Sequence, residues 1–449
     1  MAKGAGGVTR RAAIGTMAAG ALAPAAAASG RRSTKRLVPV NAKFLWGTAT
    51  AAHQIEGGNV NSDFWLAEHV KPTLFQEPSG DACDSYHLYG EDIALAAKLG
   101  FNCHRFGIEW ARIEPEPGQF SMAELDHYKR VLEECHKHGL APMVTFSHWT
   151  VPRWFAARGG FEQADSPDLF ARFADRATRH FGDLMAYATT FNEANIQRVI
   201  RSQPSRPEVI QLVEAMHVAC AKAMGSDRFA MVLFGDPAKI EGNMVAAHDL
   251  AAKAIKAGPG DFPLGVTVSM AEVTAVGDAN KAAEYEAALY GPWLDVAARA
   301  DFIGVQTYSR YFVGPKGLQP YPDGTRLTDM GYEYRPEALE ATIRTAARRT
   351  GKPVIVTENG ISTSDDTHRI AFIDAALAGV KRCIADGIDV RGYVHWSLLD
   401  NFEWVYGYKM HFGLVEVDRQ TFKRTPKPSA FHLGKLARAG SISLPTARA

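Results

Sequence analysis

Two short segments of the chain each set a glutamate where an apolar, β-branched run opens into a loop: Thr190-Phe191-Asn192-Glu193 and Val356-Thr357-Glu358-Asn359-Gly360. One protonated and one ionised carboxyl facing the same bond is what cleavage between sugars requires. The first delivers a proton to the leaving oxygen and the second attacks or stabilises the anomeric carbon. A lone strand-end glutamate is ordinarily a solvated or ion-paired loop residue, so it is the repetition in the same register that carries the meaning. Five of the eight tryptophans, Trp46, Trp110, Trp149, Trp396 and Trp404, fall within or just after four runs of the same kind. Flat rings around a polar pocket suit the C–H faces of a pyranose, and their N–H groups can reach its hydroxyls.

Other chemistries lack their carriers. No HExxH, GxSxG or GxxxxGK[ST] occurs, and no paired-glycine fingerprint opens a βαβ unit, so no cofactor is expected. His53, His104 and His148 stand near strand ends without the spacing of a metal triad; hydrogen bonding or structural roles are expected of them, and no metal. A formal net charge of +1 leaves no electrostatic footprint for nucleic acid.

The elements that must position the two glutamates recur along the chain. Eight strand-like runs are predicted at Phe44–Ala52, Asn102–Trp110, Ala141–Trp149, Ala186–Asn192, Leu264–Met270, Asp301–Tyr308, Pro353–Glu358 and Val390–Leu399. Their near-continuous apolar character suits a parallel sheet covered on both faces. Between them lie amphipathic helices. One opens on Ser166 as N-cap and Pro167, with Phe170, Phe173, Ala177 and Phe181 on one face. Another carries Ile370, Ile373, Leu377, Val380 and Ile384 and ends near Gly387. Residues 196–261 read as a long helical insert, with helices at Leu212–Met224 and Gly242–Ala257. Eight strand–helix units give an α/β fold, a (β/α)8 TIM barrel with extended loops after the strands. In such a barrel, sites form at the C-terminal ends of the strands. With 46% hydrophobic residues, there is ample material for residues 31–449 to fold as a single domain.

Residues 1–30 read differently. Thr9-Arg10-Arg11 precedes an uncharged Ala-rich stretch from Ala12 to Ser29, the pattern of a twin-arginine export signal. Its removal on export would leave a net charge of −2 and a periplasmic or secreted protein; if the segment is not a signal, the protein is cytoplasmic. Pro24 and the absence of a stop-transfer pattern argue against stable membrane insertion. Cys83, Cys103, Cys135, Cys220 and Cys383 are odd in number and unclustered, so buried free thiols are expected.

The residues resemble glycoside hydrolase family 1, the β-glucosidase family. The resemblance runs from about residue 40 to 438. It rests on Phe44-Leu-Trp-Gly-Thr-Ala-Thr-Ala-Ala-His-Gln-Ile-Glu-Gly57, Cys83-Asp-Ser-Tyr-His-Leu-Tyr89 and Arg105-Phe-Gly-Ile-Glu-Trp110. To these it adds His148-Trp149, Thr190-Phe-Asn-Glu193, Thr357-Glu-Asn-Gly360 and Trp396-Ser-Leu-Leu-Asp-Asn-Phe-Glu-Trp404. It implies a retaining reaction on a small-molecule β-glycoside or oligosaccharide, with Glu193 as acid/base and Glu358 as nucleophile, about 5–5.5 Å apart. By the same resemblance Arg105 and Tyr308 would hold Glu358. Gln54, His148, Asn192, Glu403 and Trp404 would bind sugar hydroxyls, Asn192 at the 2-hydroxyl, and Trp396 would be the stacking platform. Members acting on 6-phosphosugars lack an acid at the position of Glu403, so an unphosphorylated sugar is implied.

Four features depart from the family pattern. The sixth strand has Gln306-Thr307-Tyr308 for the usual Asn-Tyr-Tyr, which puts the contact of that Asn to the nucleophile in question. Ala194 follows Glu193 where Pro is usual, Thr150 stands for the common Asp after His-Trp, and no Gly-rich loop follows Asn195. All are expected at the rim that receives the leaving group. Two alternatives remain: an endo-β-glycanase, distinguished by rapid viscosity loss on a polymer, and a non-catalytic carbohydrate-binding protein, distinguished by saturable binding without product.

Overall fold

Each predicted run pairs in parallel with its neighbour, and the last closes on the first. The structure, a computed structural model, describes residues 43–203 and 207–442; the export-signal segment 1–30 lies outside them. The strands are β1 (Leu45–Ala49), β2 (Cys103–Gly107), β3 (Ala141–Ser147), β4 (Tyr187–Phe191), β5 (Leu264–Ser269), β6 (Phe302–Thr307), β7 (Val354–Asn359) and β8 (Val390–Trp396). They form a closed barrel in sequential order, with β1 bonded to both β2 and β8. Nearly every strand residue is buried, as expected of a parallel sheet packed on both faces. Several strands are shorter than predicted because the chain turns helical at the mouth: Ala52–Ile55 and Trp110–Ile113 are short helices.

A buried cluster of Leu45, Cys103, Ala141, Met143, Tyr187, Phe302 and Ile355 fills the N-terminal end of the barrel. Polar function is thereby left to the other end. Outside, α1 (Ser166–Phe181) buries Phe170, Phe173, Ala177 and Phe181. Ser166 is its first residue rather than its cap; Asp165 precedes the helix. The predicted insert resolves into α2 (Ile196–Ser202), α3 (Pro207–Ala223) and α4 (Pro237–Ala257). Of these, α4 packs along α1 and leads into β5, so it is the barrel's own fourth helix. The last long helix, α5 (Asp366–Ala385), turns its buried face through Phe372, Ile373, Leu377, Val380 and Cys383, leaving Ile370 and Ile384 half-buried.

All five cysteines are buried and free. Among the described residues, no helix is long and apolar enough to cross a membrane.

Candidate active site

The C-terminal ends of the strands converge on a cavity of about 150 Å³ lined by Glu193, Glu358, His148, Asn192, Tyr308, Trp396, Glu403 and Trp404, among others. Glu193 follows β4 by two residues and Glu358 is the fifth residue of β7. The glycine after Asn359 has a steric cause, because a Cβ on Gly360 would collide with the Trp396 carbonyl oxygen. Three residues of the lining, Trp149, Glu193 and Trp404, hold left-handed backbone conformations with φ of 72°, 40° and 48°. Such conformations cost about 1–3 kcal/mol each for a side chain with a Cβ and collect where geometry serves a site.

The two glutamates sit in opposite surroundings. Arg105 Nη1 lies 2.6 Å from Glu358 Oε1, and the Tyr308 hydroxyl donates to Glu358 Oε2 at 2.6 Å. Burial raises the pKa of Glu358, and Arg105 and Tyr308 pull it back. Glu193 makes no ion pair among the described residues, and Arg105 acts on it only through space. Its pKa is pushed up to about 8, first by burial and then by the charge on Glu358, with a hydrogen bond from the Ser269 side chain opposing. Of the pair, Glu193 therefore keeps the proton and Glu358 the charge. The Tyr308 hydroxyl, raised well above its usual range by burial and Glu358, stays a donor.

Around the carboxylates the polar atoms are placed but not all partnered. Among the described residues, Gln54 Oε1, His148 Nδ1, Trp149 Nε1 and Asn192 Nδ2 are buried without a hydrogen bond. Buried groups of this kind are ordinarily satisfied, so three on residues lining one cavity, His148, Trp149 and Asn192, point to a polyhydroxylated occupant. His148 is held neutral, its pKa driven down by burial and by Arg105. Gln54 stands behind the wall, donating through Nε2 to Phe402 O at 2.8 Å and to Glu403 Oε2 at 3.3 Å. Glu403 is itself pushed up to about 8 by burial and by Glu358. The rings of His148 and Trp396 stack at 5.7 Å between centroids.

Two of the five tryptophans expected at the rim are elsewhere. Trp46 packs edge-on against Phe44, and Trp110 lies among Trp154, Phe155, Phe170 and Phe173 with its N–H on Glu114. Both are core residues. Ser269, Met270, Tyr290, Tyr311 and Tyr332 line the cavity and were not singled out from the sequence. Ser269 ends β5, so strand-end reading applied there would have found it; the tyrosines arrive from a helix, a short strand outside the barrel (Arg310–Gly314) and a loop, without a local signal.

The departures fall into place. Gln306 reaches Asn192 Oδ1 at 2.8 Å rather than Glu358, and Thr307 bonds Thr342, so both lie inside the barrel wall and not at the rim. Thr150 donates to Glu109 at 2.8 Å from a buried position. The Ala194 N–H donates to Thr267 O at 3.0 Å, a bond proline could not make.

The model of glycosyl hydrolase family 1 matches residues 38–247 and 296–441, which include every residue lining the converged cavity except Ser269, Met270, Ala271 and Tyr290. The chain belongs to glycosyl hydrolase family 1. It is similar to beta-glucosidase A of Acetivibrio thermocellus, 29% identical over 86% of this chain and 96% of that protein. Among solved structures it is similar to a beta-glucosidase named 1317, with TM-score 0.86 and 50% identity over 90% of this chain and 99% of the other. The beta-glycosidase BGL167 follows with TM-score 0.84 and 48% identity, over 90% and 98%. These family 1 neighbours carry the same barrel, in accord with the family resemblance of the sequence.

Proposed function

We propose that the protein is a retaining exo-β-glycosidase of β-glucosidase type, acting on terminal, unphosphorylated gluco- or galacto-configured β-glycosides. The observation that carries this is the pairing of a proton-holding Glu193 with an Arg105- and Tyr308-bound Glu358 on one cavity. A cavity of about 150 Å³ has room for a single six-membered ring, which favours attack at a chain end over the endo reading.

In the first step Glu358 attacks the anomeric carbon while Glu193 gives its proton to the departing oxygen, so the C–O bond breaks as the ester to Glu358 forms. Esterification removes the charge that helps hold Glu193 near 8, and Glu193 becomes acidic enough to act as base. It then takes a proton from water, which attacks the same carbon and releases Glu358. Two inversions give net retention. The unpartnered Asn192 Nδ2 supports the role the family resemblance implies for it, a hydrogen bond to the 2-hydroxyl that strengthens in the transition state. Proton NMR of aryl β-glucoside hydrolysis should show the β-anomer first, and Glu358→Gly should lose at least ~10³-fold in kcat. Turnover near the native rate in that variant would overturn the assignment.

Residues 1–30 are proposed as a twin-arginine signal that delivers the protein to the periplasm or beyond. Five buried, unpaired thiols support folding in a reducing compartment before export. Replacing Arg10 and Arg11 by lysine should leave the protein in the cytoplasmic fraction; unchanged export would contradict the reading.

A further inference from the structure

The catalytic cavity opens outward into a second and much larger space. It measures about 910 Å³, roughly six times the inner one, and shares Trp149, Ile196, Met330, Tyr332, Glu403 and Trp404 with it. Its far walls come from α2, α3 and the segment leading to α4: Ile200, Val213, Phe229, Leu233 and Phe234, with Leu74 opposite. At its edge Val209 and Ile210, on the first turn of α3, are 41% and 49% exposed.

Most polar side chains of this chamber already have partners in the protein. Gln197 donates to Val232 O at 3.0 Å and Arg201 to Gly235 O at 3.3 Å; Lys239 faces Glu162 at 4.0 Å, and Asp236 caps α4. Two side chains differ: Trp149, whose N–H is unpartnered as above, and His217, whose Nε2 is buried without a partner among the described residues, between the rings of Phe229 and Phe234. Burial holds that imidazole neutral, its pKa lowered to about 4. A further sugar would need many free donors and acceptors, because unmet hydroxyls in a closed site cost affinity. An apolar body needs only area, and one hydroxyl for His217.

We propose that this chamber is the leaving-group site and that it selects β-glycosides of bulky apolar alcohols over β-linked oligosaccharides. The proposal rests on the glycosidase reading. Continuity with the cavity of Glu193 and Glu358 sets the occupant, since whatever is bonded to the anomeric oxygen must extend past Trp149 and Trp404 into this space.

Methyl and octyl β-glucoside test it, having the same sugar and leaving alcohols of similar acidity. Each buried methylene is worth up to about fourfold, so kcat/KM for the octyl compound should exceed that of the methyl one by at least ~30-fold and should also exceed that of cellobiose. Ile200→Asn and Val213→Asn should each cut the octyl-to-methyl ratio at least ~5-fold. A ratio below about three, a preference for cellobiose, or a high ratio indifferent to both variants overturns the proposal. Calorimetric binding of the uncleaved methyl and octyl 1-thio-β-glucosides makes the same comparison without turnover. Tighter octyl binding with a more negative heat-capacity change, in a protein that cleaves neither O-glucoside, would sink the reaction and leave the chamber standing. Equal binding of the two would sink the chamber alone.

Discussion

Gln306 donates its side-chain N–H to Asn192 Oδ1 at 2.8 Å, across the barrel from β6 to the end of β4. Arg105 Nη2 donates to the same oxygen at 2.5 Å and the Thr267 hydroxyl approaches it at 3.5 Å. With its carbonyl taken by donors, the Asn192 amide is locked with Nδ2 outward. The residue that departs from the family pattern thus acts on the sugar-facing amide and not on the nucleophile.

Gln306→Leu frees one lone pair of that carbonyl and loosens the amide. A hydrogen bond of this kind is worth about 0.5–1.5 kcal/mol net, so kcat/KM on nitrophenyl β-glucoside should fall by roughly 2- to 13-fold. On the 2-deoxy glucoside, where Asn192 has no hydroxyl to meet, the loss should vanish. An equal loss on both substrates would mean that Gln306 serves only the barrel wall.

The pH profile follows from Glu193. It must be protonated to start the reaction, and its pKa is pushed up to about 8, so the alkaline limb of kcat/KM should fall as pH rises through that value, while the acid limb belongs to Glu358, which must be ionised. Glu193→Gln should remove this alkaline limb on a dinitrophenyl glucoside, whose leaving group needs little proton help. Persistence of the limb in the variant would assign it to another group.

Discrimination against a 6-phosphate should depend on pH. Glu403 gains its charge only as pH rises through about 8, and two unit charges 4 Å apart repel by about 4 kcal/mol at an effective dielectric of 20. The kcat/KM ratio of glucoside to 6-phosphoglucoside should widen at least ~10-fold between pH 6 and pH 9. Glu403→Gln should flatten it, and a ratio that stays level in the native protein would leave space rather than charge as the discriminator.

Stability should improve where chemistry is lost. Glu193→Gly relieves a left-handed backbone worth about 1–3 kcal/mol, though glycine's own flexibility returns some of that. Glu193→Gln removes a group whose folded pKa lies above its unfolded value, so its stabilising effect should grow as pH rises from about 4.5 through 8. Thermal melts at pH 5 and pH 9 should show both variants melting above the native protein at pH 9, and the Gln variant gaining more there than at pH 5.

Barrel, strand positions and both glutamates were legible because a parallel strand buried on both faces has few ways to be written, and its end is marked by the first polar residue. Gln306 was legible as a departure but not in its partner. It sits opposite Glu358 in the register of β6 and β7, yet its amide ends on Asn192, which depends on how three strands curve together. Trp46 and Trp110 were misplaced because an indole near a strand end reads the same whether it turns toward the mouth or toward a neighbouring helix. The outer chamber left no mark in the sequence at all, since α2, α3 and the Trp404 loop meet only in the folded chain.

The burial of Cys83, Cys103, Cys135, Cys220 and Cys383 has one more result. Hydrocarbon surroundings raise every one of these thiols, Cys83 and Cys103 to about 12, and a thiol that neither ionises nor meets solvent is invisible to oxidants and to glutathione alike. The covalent structure of the folded chain is therefore indifferent to the redox potential around it.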